Sequence, residues 1–182
     1  MTAPTDGELA DAFTAATRSA VSALFAQFPD ERFYYLSLIL SDPCLPPALT
    51  AMSDGFLARA RAEDPDDAYL KWDYSRSPVY PYGWDDHYAR ARRLLELRPD
   101  LTAIQDEDAW DAEHRARLAA MEAAVSRLDA EGLFGTADRR AGLVVGVEVM
   151  PPDEENTARV RRLNPPEALR EWLAEAAEQA AE

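Results

Sequence analysis

Histidine is the side chain whose proton affinity lies nearest neutral pH, and the 182-residue chain holds two, His87 and His114. His87 directly follows Asp85 and Asp86, so this trio offers one imidazole and two carboxylates to a divalent ion or an acid–base reaction. A distant carboxylate, Glu148 or Asp153, would have to complete the site. Neighbouring residues at a helix start diverge around its axis, however, and two aspartates in a first turn also complement the helix dipole. Cys44, the one cysteine, becomes a nucleophile only if folding brings His87 beside it; in the proline-flanked connector 41–47 it reads as a small residue. His114 shares a helical stripe with Trp110 and Leu118 and reads as a packed histidine. The enzyme alternative is therefore a small metal-assisted or acid–base hydrolase built on His87.

The common catalytic signatures are missing. The chain has no glycine-rich phosphate loop, serine elbow, paired-histidine metalloprotease helix or paired-cysteine zinc motif. Seven glycines leave little material for a nucleotide cradle, where backbone must approach phosphate without a Cβ in the way. No catalytic residue, metal ligand or cofactor is assigned, and a non-enzymatic role is the leading expectation.

Binding chemistry is better represented. Between residues 69 and 88 the aromatics Tyr69, Trp72, Tyr74, Tyr80, Tyr82, Trp84 and Tyr88 are interleaved with Asp73, Arg76, Asp85 and Asp86. Trp, Tyr and Arg dominate binding hot spots because they join a large contact area to a polar tip. The candidate partner-binding set is Trp72, Asp73, Tyr74, Arg76, Tyr80, Tyr82, Trp84, Asp85 and Asp86. The competing reading is that Trp72 and Trp84 fill the core while the tyrosines cover it. Nineteen basic against 34 acidic residues give a formal charge of −15, a field that repels nucleic acid and anionic lipid and favours a basic protein partner.

These residues need a scaffold to hold them. Thr5 with Glu8 is a capping box, and Leu9, Phe13, Val21, Leu24, Phe25 and Phe28 continue it at helical spacing. Phe33 to Leu40 is apolar on both alternating faces, as a central strand would be, and residues 143–149 form a second, β-branched strand. Leu49, Met52, Phe56 and Leu57 suggest a helix ending near Arg61. Residues 69–74 alternate cleanly and read as an edge-type strand. Trp110, His114, Leu118, Met121, Val125 and Leu128 form an amphipathic stripe closed by Gly132, and Asn164 reads as the cap of a last helix opened by Pro165. The expectation is one α+β domain over 1–182, with a small, predominantly antiparallel sheet, amphipathic helices on its faces, and fraying near 1–5 and 175–182. The longest apolar run, eight residues from Phe33, is too short to span a bilayer, no secretory leader is apparent, and the lone cysteine excludes an internal disulfide. A cytoplasmic address is expected.

Three short elements, Phe33-Tyr34-Tyr35-Leu36, Lys71-Trp72-Asp73-Tyr74 and Arg162-Leu163-Asn164-Pro165, resemble in their order an uncharacterised family of bacterial single-domain cytoplasmic proteins associated with the immunity proteins of polymorphic toxin systems. That resemblance implies an immunity-type inhibitor of a basic effector and supplies no catalytic residues.

Overall fold

Eight consecutive residues that are apolar on both faces demand cover on two sides, and β1 (Phe33–Leu40) obtains it by lying in the middle of a three-stranded sheet. The computed structural model describes residues 3–67 and 70–177, and the backbone alone of Trp84 and Asp85. β2 (Ala48–Ser53) pairs antiparallel with β1, and β3 (Val144–Val149) pairs parallel with it on the other side. The fold is α+β, and the sheet is mixed where a mainly antiparallel one was expected. The physical reason is the connection: everything between β2 and β3 passes through helices, and a crossover of that length can return a strand parallel to β1.

Two elements differ from their sequence patterns. Leu49 and Met52 belong to a strand, and α2 (Asp54–Glu63) begins only after Ser53, whose hydroxyl accepts from the Phe56 amide at 3.0 Å. Pairing with β1 overrides the helical spacing. The expected edge strand at 69–74 does not form among its described residues: Ala68 and Tyr69 lie outside them, 70–72 are turn, and Tyr74–Arg76 is a single 3₁₀ turn. The Asp73 carboxylate accepts from the Ser75 amide (2.8 Å) and hydroxyl (2.7 Å), a local closure that competes with a ladder.

The register puts Leu36, Leu38, Val145 and Val147 on one sheet face, where they share an apolar cluster with Leu9, Phe13 and Leu24 of α1 (Asp6–Gln27) and Leu118, Met121 and Val125 of α5 (Glu107–Ala130). The expected capping box opens α1, with the Thr5 amide donating to Glu8 at 2.8 Å and the Glu8 amide to the Thr5 hydroxyl at 3.2 Å. On α5, Leu118, Met121, Val125 and Leu128 are buried as the stripe requires, while Trp110 and His114 near its start are half-buried. Gly132, at φ +79°, closes that helix: its amide reaches the Asp129 carbonyl (2.8 Å) and the Leu133 amide reaches that of Leu128 (3.0 Å).

The opposite face carries Tyr35, Ser37 and Thr50 and is covered by the aromatic segment. The Trp72 ring meets Tyr35 edge-on at 5.9 Å, and the Thr50 hydroxyl donates to the Tyr74 carbonyl at 3.0 Å. The same segment closes the β2 edge, the Tyr82 amide donating to the Leu49 carbonyl (2.9 Å) and the Ser77 hydroxyl to that of Ala51 (2.6 Å).

On the β3 edge, α7 (Asn156–Leu163) and the residue after it replace a fourth strand with side chains. The Asn156 amide group pairs with both backbone groups of Val149 (2.8 and 3.0 Å), Arg159 Nε donates to the Val147 carbonyl (3.1 Å), and Asn164 pairs with both groups of Val145 (2.8 and 2.6 Å). Asn164 therefore does not cap the last helix. α8 (Pro166–Glu175) starts from Pro165 without a side-chain cap, and the fraying expected at the chain ends falls partly on residues 1–2 and 178–182, outside the described ones. No described helix is long and apolar enough to cross a membrane.

Two substitutions check this architecture. Leu118→Asp places an unpaired charge against the sheet at a cost on the order of 4 kcal/mol or more, against about 5–15 kcal/mol for a typical domain, so a thermal melt should show loss of the cooperative transition or a fall of well over 10 °C. Asn164→Ala strands two backbone groups of Val145 and should cost about 1–3 kcal/mol, a drop of roughly 2–10 °C; an unchanged melt would show that the side-chain edge contributes nothing.

Candidate functional site

A cleft of about 1300 Å³ opens where the start of β1 faces α2, the Lys71–Trp72–Asp73 turn and α8. β1 contributes Tyr34 and the residue before it, Arg32; α2 contributes Asp54, Leu57 and Arg61; α8 contributes Glu167, Arg170, Glu171 and Glu175. Ala141 and Gly142, at the end of α6 (Asp138–Ala141), complete the wall.

Trp72 forms the aromatic end of the cleft, and its position is fixed from several directions. Its ring is edge-on to Tyr34 at 5.3 Å, the Lys71 ammonium lies 5.0 Å from its centroid, and its indole nitrogen donates to Glu175 at 2.8 Å. Lys71 also binds Glu175 at 3.0 Å and Glu171 through a shorter ion pair. This one turn therefore bolts α8 to the sheet. Burial lowers the proton affinity of the Lys71 ammonium, but its hydrogen bonds to Glu171 and Glu175 outweigh that and raise it. The indole and ammonium hydrogen bonds hold Glu175 below the usual carboxylate range. Burial, reinforced by the Asp54 carboxylate, drives the Tyr34 hydroxyl well above its ordinary value, and that hydroxyl is committed to the Lys71 carbonyl at 2.8 Å.

The remaining charges of the cleft are uncommitted. Among the described residues Arg32, Arg61 and Arg170 form no ion pair, and neither do Asp54 and Glu167; all five are exposed. Most other arginines of this acidic chain are spent on carboxylates. Arg98 and Arg117 converge on buried Glu113 at 2.7–2.8 Å, and Arg117, 2% exposed, also donates to the carbonyls of Pro43 and Pro99. Burial raises the Glu113 proton affinity, yet the two guanidiniums hold its carboxyl below the usual range. That network has every strong donor matched and reads as structural.

The candidate acid–base groups do not converge. His87 hydrogen-bonds through Nδ1 to the Ser19 hydroxyl at 2.8 Å and stacks on Tyr82 at 6.4 Å, with Gly83 (φ +62°) leaving room for the ring where a Cβ would lie 2.2 Å from His87 Cδ2. Cys44 faces Asp100 at 3.9 Å, Asp153 pairs with Arg159, and Glu148 accepts from the Tyr35 hydroxyl at 2.8 Å inside the sheet. Neither histidine nor Cys44 lines the cleft. Among the described residues no three His, Cys, Asp or Glu side chains are placed to hold a metal ion. His114 rests against Trp110 at 4.7 Å, and burial lowers its pKa.

The candidate partner-binding residues are divided by the fold. Trp72 and Asp73 line the cleft; Tyr74 packs edge-on against Tyr80 (5.1 Å), Arg76 pairs with Asp67 (2.8 Å), and the Tyr82 hydroxyl donates to Gln27 (2.9 Å). Asp86 is exposed beside His87, and the side chains of Trp84 and Asp85 lie outside the described residues. Sequence reasoning missed Tyr34, Arg32, Arg61 and Arg170, which come from three separate elements.

Over residues 13–165 the chain matches the model of a family described as Domain of unknown function (DUF4303), and on that coverage it belongs to this family. No curated protein and no solved structure matches it. The family description names no activity and carries no link to toxin immunity.

The α8 bolt is testable by acid and by mutation. A carboxyl whose folded pKa is depressed contributes stability that is complete above its unfolded value, near 4.5, and is lost as pH falls through the folded value. Tryptophan fluorescence should therefore report release of Trp72 below about pH 4.5, with no such step between pH 5 and 8. Trp72→Phe keeps a ring but removes the donor to Glu175 and should lower stability by about 1 kcal/mol; an acid transition unaltered from the parent when both are followed by circular dichroism would show that the indole–carboxylate bond does not anchor α8.

Proposed function

We propose that this member of the family is a non-enzymatic binding domain that captures a basic protein partner at the cleft walled by Trp72, Tyr34, α2 and α8. The observation that carries this reading is the cleft itself: a rigidly held aromatic end beside exposed, uncommitted charges of both signs. Recognition surfaces combine these features, because aromatic area supplies burial and charged groups select register. The formal charge of −15 favours a cationic partner at long range and accelerates encounter, while Asp54 and Glu167 meet its basic side chains inside the cleft. An immunity-type inhibitor that covers a basic effector is one protein of this kind. The hydrolase alternative draws no support from His87, which is engaged by Ser19 and Tyr82 away from the cleft.

Capture from lysate of the native host at low salt, using the full chain as bait, should recover a discrete basic protein whose retention falls steeply with ionic strength. The double charge reversal Asp54→Lys/Glu167→Lys touches two exposed first-turn residues and should weaken retention at least tenfold while the cooperative thermal transition persists, lowered by only a few degrees through the two helix dipoles. Equal retention by the reversed variant would place the binding surface elsewhere, and recovery of no protein but the bait itself would sink the reading.

A further inference from the structure

Three guanidiniums in one concavity of a chain with 34 acidic residues and 19 basic ones is an arrangement that composition does not predict. Arg32 leaves the chain just before β1, Arg61 lies in the last turn of α2, and Arg170 sits in the middle of α8, so three independent elements deliver them to the same cleft. The Arg32 guanidinium lies across the turn at Gly142, where a side chain's Cβ would stand 3.5 Å from its terminal nitrogen. Like charges gathered this way repel one another, and carboxylates are abundant in this chain, yet none of the three makes an ion pair among the described residues.

None of the described acidic residues of the cleft forms an ion pair with them, although, after the Trp72 and Lys71 hydrogen bonds, the Arg61 charge helps to hold Glu175 below the usual carboxylate range. Glu171 and Glu175 are turned to Lys71 and Trp72, and Asp73 is turned to Ser75. Asp54 and Glu167 form no ion pair among the described residues, and Asp73, bonded to a neutral hydroxyl and amide, keeps its charge, so with Lys71 four cationic and five anionic side chains line the cleft. The cleft is thus close to neutral on a strongly negative molecule, and its three guanidiniums are free of ion pairs among the described residues.

We propose that Arg32, Arg61 and Arg170 form an oxyanion-binding subsite, which receives a phosphate or carboxylate group of the molecule bound in the cleft. Planar guanidiniums present paired N–H donors that match two oxygens of either group, and several of them around one anion relieve their mutual repulsion as they bind it. The net field repels anions at a distance, so the subsite holds a group that enters with a larger ligand or at high local concentration. The inference rests on the cleft being the binding site but not on the partner being a protein.

Calorimetric titration of the full chain at low salt with sodium pyrophosphate and, separately, with citrate tests it. Saturable binding of one equivalent of either anion is expected, weakened at least tenfold in Arg61→Ala and in Arg170→Ala, and unchanged in Arg139→Ala, whose guanidinium lies over Phe25 outside the cleft. Tighter binding of pyrophosphate assigns the natural group as phosphate, and tighter binding of citrate assigns it as carboxylate. Absence of saturable binding by both anions, or equal affinity in Arg61→Ala/Arg170→Ala with an unchanged melt, overturns the proposal. The double reversal Asp54→Lys/Glu167→Lys separates this result from the partner reading: it abolishes capture of a basic protein while leaving anion binding intact or stronger.

Discussion

The rest of the molecule follows from one constraint: β1 is buried on both faces, and among the described residues the sheet ends with the one strand on either side of it. Both neighbours are then edges, and an open edge is a row of unpaired backbone groups that invites association with another chain. The chain closes each edge by a different route. β2 is met by the backbone and side chains of the 74–82 segment, whereas β3 is met by Asn156 and Arg159 of α7 and by Asn164 just after it, three polar side chains that reach every second residue of the strand. An asparagine side chain carries the same donor and acceptor as a peptide group, so two of them can stand in for a partner strand.

That solution accounts for the aromatic segment. Its aromatic side chains form the second cover of the sheet, and Trp72, Tyr82 and Tyr88 commit their polar tips internally, to Glu175, Gln27 and Thr17. Where this cover meets α8 the packing leaves a cleft rather than a seam. Beside the Lys71–Glu171–Glu175 pairing, its arginines form no ion pair among the described residues, in contrast to the closed Arg98–Glu113–Arg117 network.

Membership in a family described only by its unknown function leaves chemistry to be argued from the site. The proposal of recognition rests on two features of the site: the histidines and Cys44 are separated and engaged, and exposed charged side chains of both signs line the cleft.

Local signals fixed in the residues were sufficient for some elements. The Thr5–Glu8 capping box, the Gly132 closure of α5, the doubly apolar β1 and the β-branched β3 each depend on interactions within a few residues or on a pattern of burial that one strand or helix displays alone. Tertiary structure decided the others. Leu49 and Met52 carry helical spacing but are strand because β1 needs a partner there, 69–74 alternates like a strand but its described residues turn, with Asp73 closing on Ser75, and Asn164 resembles a cap but serves β3. The cleft was the least legible feature: Tyr34, Arg61, Trp72 and Arg170 are far apart along the chain, and their meeting is set by strand order and by the Lys71–Glu171 and Trp72–Glu175 contacts, pairings between distant residues that no local periodicity encodes.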